Sequence, residues 1–294
     1  AVESFDFSSF DLVISSSGAF SHGVITGPQT KHLCYCHSPM RYSWDYTHEY
    51  LEEKKLSFPV EWIVRKTLHR VRQWDRASAD RPDKYLANSQ HVQKRILKYF
   101  GQEAKVLYPP VNTERFYPLK PSKGYFLVIS ALSSFKKIEL AIGVCNKIGK
   151  RLLIIGEGSS KKNLQALAGP TIQFLGRRTD EEVKQVLEEA EALLFPGEED
   201  FGITPVEAMA AGRPVIAYGK GGVLETIIDG RTGVFFSEPH ISSIEEAIAK
   251  YYALKNKGAF DRNFLYEHAA QYRPQVFQKG IKKTVEELME SRIE

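Results

Sequence analysis

Glu199 and Glu207 stand eight positions apart in the run Glu-Asp-Phe-Gly-Ile-Thr-Pro-Val-Glu, which continues into Ala-Met-Ala-Ala-Gly-Arg-Pro-Val-Ile-Ala. A glycine turn and a helix start lie between the two carboxylates. A helix N-terminus presents unpaired N–H groups and a partial positive charge, so an anion as large as a diphosphate can be held there without a metal. The same residues also have a plainer local reading. Thr204 suits an N-cap, Pro205 the first helical position and Glu207 the third, so Thr204 to Glu207 fits a capping box. Glu199, on the loop before Gly202, reads in the same spirit as a solvated charge.

The flanking sequence supplies the elements that must position these groups. Residues 192–196 form a short apolar run of the buried-strand type, Gly212 closes a short helix, and residues 214–218 read as the next strand. Residues 126–132 are another β-rich run, followed by Lys136, Lys137 and a helical pattern of Ile138, Ala141, Ile142 and Cys145. Two more strands, 151–155 and 171–175, end in Gly156-Glu157-Gly158-Ser159 and Gly176-Arg177-Arg178-Thr179-Asp180. Alternating strands and helices, with glycine turns after the strands, predict a doubly wound parallel sheet. In such sheets ligands bind beyond the carboxyl ends of the strands. Gly156 and Gly158 alone signal only tight turns. Their weight comes from sharing a face with Lys136 and the 199–207 loop.

These motifs together carry a resemblance. Phe-Lys-Lys at 135–137, Ile-Ile-Gly-Glu-Gly-Ser at 154–159, Phe-Leu-Gly-Arg at 174–177, Glu-Asp-Phe-Gly-Ile-Thr-Pro-Val-Glu-Ala-Met at 199–209 and Gly-Gly-Val-Leu-Glu-Thr at 221–226 occur in one order and spacing. From Tyr125 to Phe236 the chain resembles the C-terminal domain of family 4 retaining glycosyltransferases of the GT-B fold. The similarity is greatest to the bacterial and archaeal mannosyltransferase-like branch that builds surface polysaccharides. Ser15-Ser-Ser, Cys36-His-Ser-Pro-Met-Arg-Tyr42 with Trp44-Asp45, and Ala87-Asn-Ser-Gln90 extend it over nearly the whole chain.

The resemblance implies an α/β GT-B architecture of two Rossmann-like domains facing a cleft. Residues 1–121 would be the acceptor-side domain, 122–272 the nucleotide-sugar domain, and 273–294 a helix crossing back to the first. It implies that Glu199 contacts hydroxyls of the transferred sugar and Glu207 the ribose. Backbone N–H groups of Phe201, Gly202, Ile203 and Thr204 would bind sugar and phosphate oxygens, and Lys136 would neutralise the leaving diphosphate. Gly156, Glu157, Gly158, Gly176 and Arg177 would line the nucleoside pocket, and His37 would reach the donor sugar. His22, Arg41, Tyr42, Trp44, Asn88 and Ser89 are acceptor-side candidates, although capping alone explains Ser89. One position departs from the family pattern: the arginine expected five residues before the lysine is Ala131. Lys137 is the expected substitute. The implied reaction transfers a hexose, mannose favoured, from a nucleoside-diphosphate sugar to a glycan or polyprenyl-diphosphate-linked acceptor, with configuration retained. A GT-B epimerase or hydrolase, or a non-catalytic nucleotide-sugar-binding subunit, would use the same pocket.

The Asp-x-Asp pair that chelates a metal in the other large glycosyltransferase class does not occur, so neither a metal nor another cofactor is expected. Three cysteines without framework spacing indicate reduced thiols and, with no 18-residue apolar run or visible signal peptide, a cytoplasmic protein. Strand alternation puts Cys34 and Cys36 on one face and His37 on the other, which argues against a metal cluster. The 294 residues, 43% hydrophobic, suffice for two α/β cores. The opening residues read as mid-domain loop and turn, so the first domain is expected to be truncated and to expose a sheet edge.

Residues 51–100 hold twelve Lys/Arg against six Asp/Glu. Ser57 and Pro59 start a helix there, with Val60, Ile63, Val64, Leu68, Val71 and Trp74 as an apolar stripe opposite Arg65, Lys66, Arg70, Arg72 and Arg76. The stripe predicts a core-packed helix with a solvated basic face. The sharper alternative is contact with an anionic membrane surface from the cytoplasmic side. A net charge of +4 is small for this length and no nucleic-acid motif is present, so nucleic acid is not an expected partner.

Overall fold

Short apolar runs bounded by glycine and polar turns become parallel strands, and the amphipathic segments between them become the helices that cover the sheets. The computed structural model describes residues 2–54, 56–117 and 120–290. Two compact units emerge: Ala1–Pro109 with Phe277–Glu294, and Pro110–Val276.

The first unit contains β1 (Leu12–Ser17), β2 (Lys31–Cys36), α1 (Thr47–Lys54), α2 (Phe58–Ser78), β3 (Lys84–Ala87), α3 (Gln90–Phe100) and β4 (Ala104–Val106). Its four strands are all parallel, in the order β1-β2-β3-β4. β1 alternates buried Val13, Ser15 and Ser17 with exposed positions, as an edge strand does, whereas β2 is buried along nearly all its length. Cys34 and Cys36 join Tyr85, Val92, Ile96 and Phe100 in one core on this sheet, and Leu33, Tyr35 and Leu86 form another. The cysteines therefore behave as small buried hydrophobes, and burial pushes the Cys34 thiol up to about 12. Ser89 caps α3 by accepting from the Val92 N–H at 3.0 Å, and Gly101 ends that helix with φ 67°.

The apolar stripe of α2 departs from its sequence reading. Leu68 is buried and Val64, Val71 and Trp74 are half-buried, but Val60 is exposed and Ile63 lies away from the packed face. Helical spacing explains the difference: Ile63 is about 100° per residue round from Val64 and Leu68, toward Trp62 and Lys66.

The second unit contains β5 (Phe126–Ile129), α4 (Ile138–Ile148), β6 (Leu152–Ile155), α5 (Lys161–Leu167), β7 (Ile172–Gly176), α6 (Asp180–Glu189), β8 (Ala192–Phe195), α7 (Ile203–Ala210), β9 (Val215–Tyr218), α8 (Val223–Thr226), β10 (Gly233–Phe236), α9 (Ile241–Asn256) and α10 (Arg262–Ala269). The strands form one parallel six-stranded sheet in the order β10-β9-β8-β5-β6-β7. They read as continuous apolar runs because both faces are covered. Phe126, Val128, Leu152, Ile154, Leu194 and Ile216 pack under Ile142 and Cys145 of α4 and Ile244, Ile248 and Tyr251 of α9. Truncating one such Ile or Leu to Ala costs about 2–5 kcal/mol. The final helix, α11 (Pro274–Glu290), begins in the second unit. From Phe277 it packs Phe277, Ile281, Val285 and Leu288 against Leu33, Tyr35 and Leu86 of the first.

Candidate functional site

The six-stranded sheet reverses direction between β5 and β8. From β5 the chain winds outward through β6 and β7, then returns to β8 on the other side of β5 and winds outward through β9 and β10. The loops leaving the carboxyl ends of β5 and β8 therefore part at a topological switch point, where open α/β sheets bind ligands. Lys136 sits on the first loop, at the end of the 3-10 turn Ser134–Lys136, and Glu199 on the second. Gly197 lets the two loops touch: a Cβ there would stand 3.0 Å from Lys136 Cα. Lys136 Nζ and the Glu199 carboxylate form an ion pair, both side chains about four-fifths buried.

The Glu199 loop is braced from behind. Gly222 N–H donates to the Glu199 carbonyl at 2.9 Å, and Glu199 forms an isolated parallel bridge with Gly221. A side chain on Gly222 would run into the backbone of Asp200 and Phe201. This is the physical content of the Gly-Gly pair at 221–222. Phe201 holds the loop from inside, its buried ring set edge-on to Tyr272 at 5.5 Å.

The start of α7 corrects the capping-box reading. Gly202, not Thr204, is the N-cap, with φ 88°, a conformation that glycine alone adopts without strain. Thr204 is thus the second helical residue, Pro205 the third and Glu207 the fifth, too far along to reach back to the cap. Gly202 itself has no side chain with which to cap the first turn. The N–H groups of Ile203 and Thr204 belong to the set that an α-helix leaves without intrahelical partners. They lie at the positive end of the helix dipole.

Freed from capping, Glu207 accepts from Arg115 Nη2 at 2.8 Å. Arg115 belongs to the 3-10 turn Glu114–Phe116. Burial raises the Glu207 carboxyl above the ordinary range; the Arg115 guanidinium opposes that shift and Asp180 adds to it. Sequence reasoning missed Arg115, because a single arginine in Glu-Arg-Phe has no periodicity or spacing to single it out.

The glycines after β6 have a packing role. Gly156, at φ 139°, and Gly158 lie directly against the backbone of Ser130 and Leu132. The Leu132 N–H donates to the Glu157 carbonyl at 2.9 Å, which ties the β6 loop to the β5 loop. The Glu157 carboxylate pairs with Lys161 at 2.7 Å, and a Cβ on Gly176 would stand 3.0 Å from Glu157 Oε1. Arg177 is exposed. Lys137 is exposed and has φ 53°, the one positive φ outside glycine among the described residues.

In the first unit, His37 and Asn88 follow the carboxyl ends of the neighbouring strands β2 and β3. His37 is exposed, with Nε2 2.8 Å from Ser16 Oγ and its ring edge-on to Tyr35. Arg41 lies over the Tyr46 ring at 4.0 Å, and the Tyr42 hydroxyl donates to Met40 Sδ. Trp44 stacks on Tyr99 at 4.8 Å and donates to Asp75 Oδ2 at 2.6 Å. His22 requires a correction. It is 1% exposed, enclosed by Ser17, Ser78, Asp75, Trp74 and Phe100, so its ring has no face for an acceptor. Ser89 is fully buried with its oxygen engaged at the α3 cap, which assigns it to the fold.

The chain resembles known proteins in sequence and in fold. The chain is 24% identical over 258 residues to an uncharacterized glycosyltransferase of Methanocaldococcus jannaschii, covering 81% of this chain and 71% of that protein. It is 26% identical over 272 residues to the alpha-1,3/1,6-mannosyltransferase ALG2 of Dictyostelium discoideum, covering 75% of this chain and 61% of that one. The solved structure of Anabaena HepE in complex with UDP-glucose superposes with a TM-score of 0.70 at 18% identity, covering 88% of this chain and 73% of that chain. The fold is α/β and GT-B-like, with two Rossmann-like parallel sheets. The family model for glycosyl transferases group 1 matches residues 113–265, and the chain belongs to that family.

Proposed function

We propose that the chain is a family 4, mannosyltransferase-like member that moves a hexose from a nucleoside-diphosphate sugar to a glycan or polyprenyl-diphosphate-linked hydroxyl in surface polysaccharide synthesis. The observation that carries this reading is the Lys136–Glu199 pair at the sheet switch point beside the N-terminus of α7, whose N-cap is a glycine. A cation and unpaired N–H groups suit a departing diphosphate, and fixed donors of this kind stabilise charge as it develops. Glu199 takes the sugar hydroxyls, and Glu207, fixed by Arg115, takes the ribose. Likeness to ALG2 favours mannose, and with it guanosine diphosphate mannose; HepE, solved with UDP-glucose, keeps a uridine donor in the test.

On this reading no side chain is a covalent nucleophile. The acceptor hydroxyl attacks the anomeric carbon on the face from which the diphosphate leaves, through an oxocarbenium-like state, and the configuration is retained. The departing phosphate takes the acceptor proton, and His37 shapes the sugar side. Lys136 and α7 do the work a metal would do elsewhere, so transfer persists in a chelator. Positioning and charge stabilisation supply the catalysis.

A panel of sugar nucleotides tested for thermal stabilisation identifies the donor. At a hundred times the dissociation constant the right one adds about 2.7 kcal/mol. Glu207→Ala abolishes that stabilisation, while Glu199→Ala keeps it and loses transfer. Two variants that behave like the wild type would refute the assignment. Nucleoside diphosphate released at the same rate without acceptor would point to a hydrolase or epimerase instead.

A further inference from the structure

The outward face of α2 carries large apolar side chains that stand exposed on the first unit. Phe58 is 84% exposed, Trp62 53% and Ile63 57%, while the opposite face buries Leu68, Asp75 and Ser78. Phe58, Trp62, Lys66 and Arg70 follow one another at four-residue intervals, and Ile63 flanks that row at helical spacing. Lys66 Nζ lies over the Trp62 ring at 3.8 Å. The apolar groups occupy the first two turns, where Arg65 is engaged by Glu61, and Lys66 and Arg70 follow. Glu61, the sole acid between residues 56 and 74, is tied to Arg65 at 2.7 Å.

We infer that this face of α2 docks the protein on an anionic lipid bilayer, with Phe58, Trp62 and Ile63 entering the headgroup–acyl boundary and Lys66 and Arg70 resting on the phosphates. The order of the residues argues for lipid. An apolar tip with an aromatic ring, followed by a basic collar, matches a boundary that is hydrocarbon below and negatively charged above. A second copy of the chain is a poorer occupant. A two-fold contact sets a patch against itself, which would bring Lys66 and Arg70 against their own counterparts without a free acid to separate them. The inference is independent of the donor site, since it uses only residues of the first unit.

Sedimentation with vesicles tests it. The chain should bind vesicles of phosphatidylcholine with phosphatidylglycerol, bind pure phosphatidylcholine far less, and release at high salt as the charges are screened. Lys66→Gln with Arg70→Gln should weaken binding about thirtyfold. Phe58→Ser with Trp62→Ser and Ile63→Ser should remove it while leaving circular dichroism and the thermal midpoint unchanged, because these side chains are exposed. Brominated lipid should quench the wild type more than Trp62→Phe. Equal binding to neutral and anionic vesicles, or full binding by the triple variant, overturns the inference. So does a wild type that ignores vesicles but dimerises through a contact the triple variant abolishes, which would make the occupant a second copy.

Discussion

Replacing Asp75 with Asn should tilt the pH dependence of stability in the first unit. Asp75 and His22 face each other in the interior, with Oδ1 3.3 Å from Nε2. The His22 ring also has Ser17 Oγ at 3.3 Å and Ser78 Oγ at 3.1 Å. Burial pushes the Asp75 carboxyl up from 3.8 to about 7, against the hydrogen bond from Trp44. Burial pushes His22 down from 6.5 to about 4, against its contact with Asp75. Between those limits the unfolded chain carries one proton on the pair, on His22, and the folded chain also carries one, on Asp75. Equal proton counts mean no slope from the pair, whichever partner holds the shared proton. In Asp75→Asn the folded state holds none while unfolded His22 still holds one below 6.5. Stability then rises with pH from 4 to 6.5, by about 3 kcal/mol over 2.5 units at 1.36 kcal/mol each. His22→Gln gives the opposite sign: stability falls as pH rises from about 4 to 7 and the folded state is forced to ionise Asp75. All three tryptophans, Trp44, Trp62 and Trp74, lie in the first unit, so urea unfolding followed by tryptophan fluorescence reports that unit alone. Comparing each variant with the wild type cancels other groups, such as Glu287, held down to about 2 by Lys105 and Lys84. Parallel profiles for Asp75→Asn and wild type would refute the reasoning.

Arg115→Gln removes the charge that opposes burial at Glu207, so the Glu207 carboxyl rises further and donor binding fades at a higher pH. Donor KM measured against pH should shift upward in midpoint with kcat at saturation preserved, and an unchanged KM profile would count against the pairing. Lys137→Gly relieves a left-handed backbone and should add up to about 1 kcal/mol of stability in urea. If Lys137 makes up for Ala131, Lys137→Gly and Lys137→Ala should both slow transfer a hundredfold or more; wild-type turnover in Lys137→Ala rules that out. Glu199→Gln should bind the nucleoside diphosphate alone more tightly than the wild type, since Lys136 loses its competitor, and weaker binding in calorimetry would contradict this.

The doubly wound sheet was legible because its strands are buried on both faces and so read as unbroken apolar runs, such as 152–155 and 192–195. Local capping was legible at Ser89 and Gly101, where side-chain type and backbone conformation agree. It failed at Thr204, where a capping-box pattern is overridden by Gly202: the positive φ imposed by the loop moves the helix start back by two residues. The Glu199–Lys136 contact joins residues 63 positions apart, and only the strand order brings them together. Arg115 and Asp75 were missed for a related reason. Their significance lies in a partner across the fold, Glu207 in one case and His22 in the other, and nothing in their own neighbourhood marks it. On α2 the failure was one of phase: Ile63 was counted with Val64 and Leu68, although the helix turns it toward Trp62.

The resting charges also bear on how the site works. Lys136 and Glu199 are each largely buried, and either one alone at that depth would lack the solvent that stabilises a charge. Paired, they satisfy each other and pin the β5 and β8 loops together beside α7. On the proposed reading a diphosphate entering there offers Lys136 a stronger partner, and α7 shares the load through Ile203 and Thr204. The Glu199 carboxylate, released from Lys136, must then find new donors, and on the proposed reading the hydroxyls of the incoming sugar are those donors. A nucleoside diphosphate without its sugar provides none and leaves Glu199 unsatisfied. The ion pair would thus favour the complete donor over the spent one, which is the preference a transferase needs to release its product.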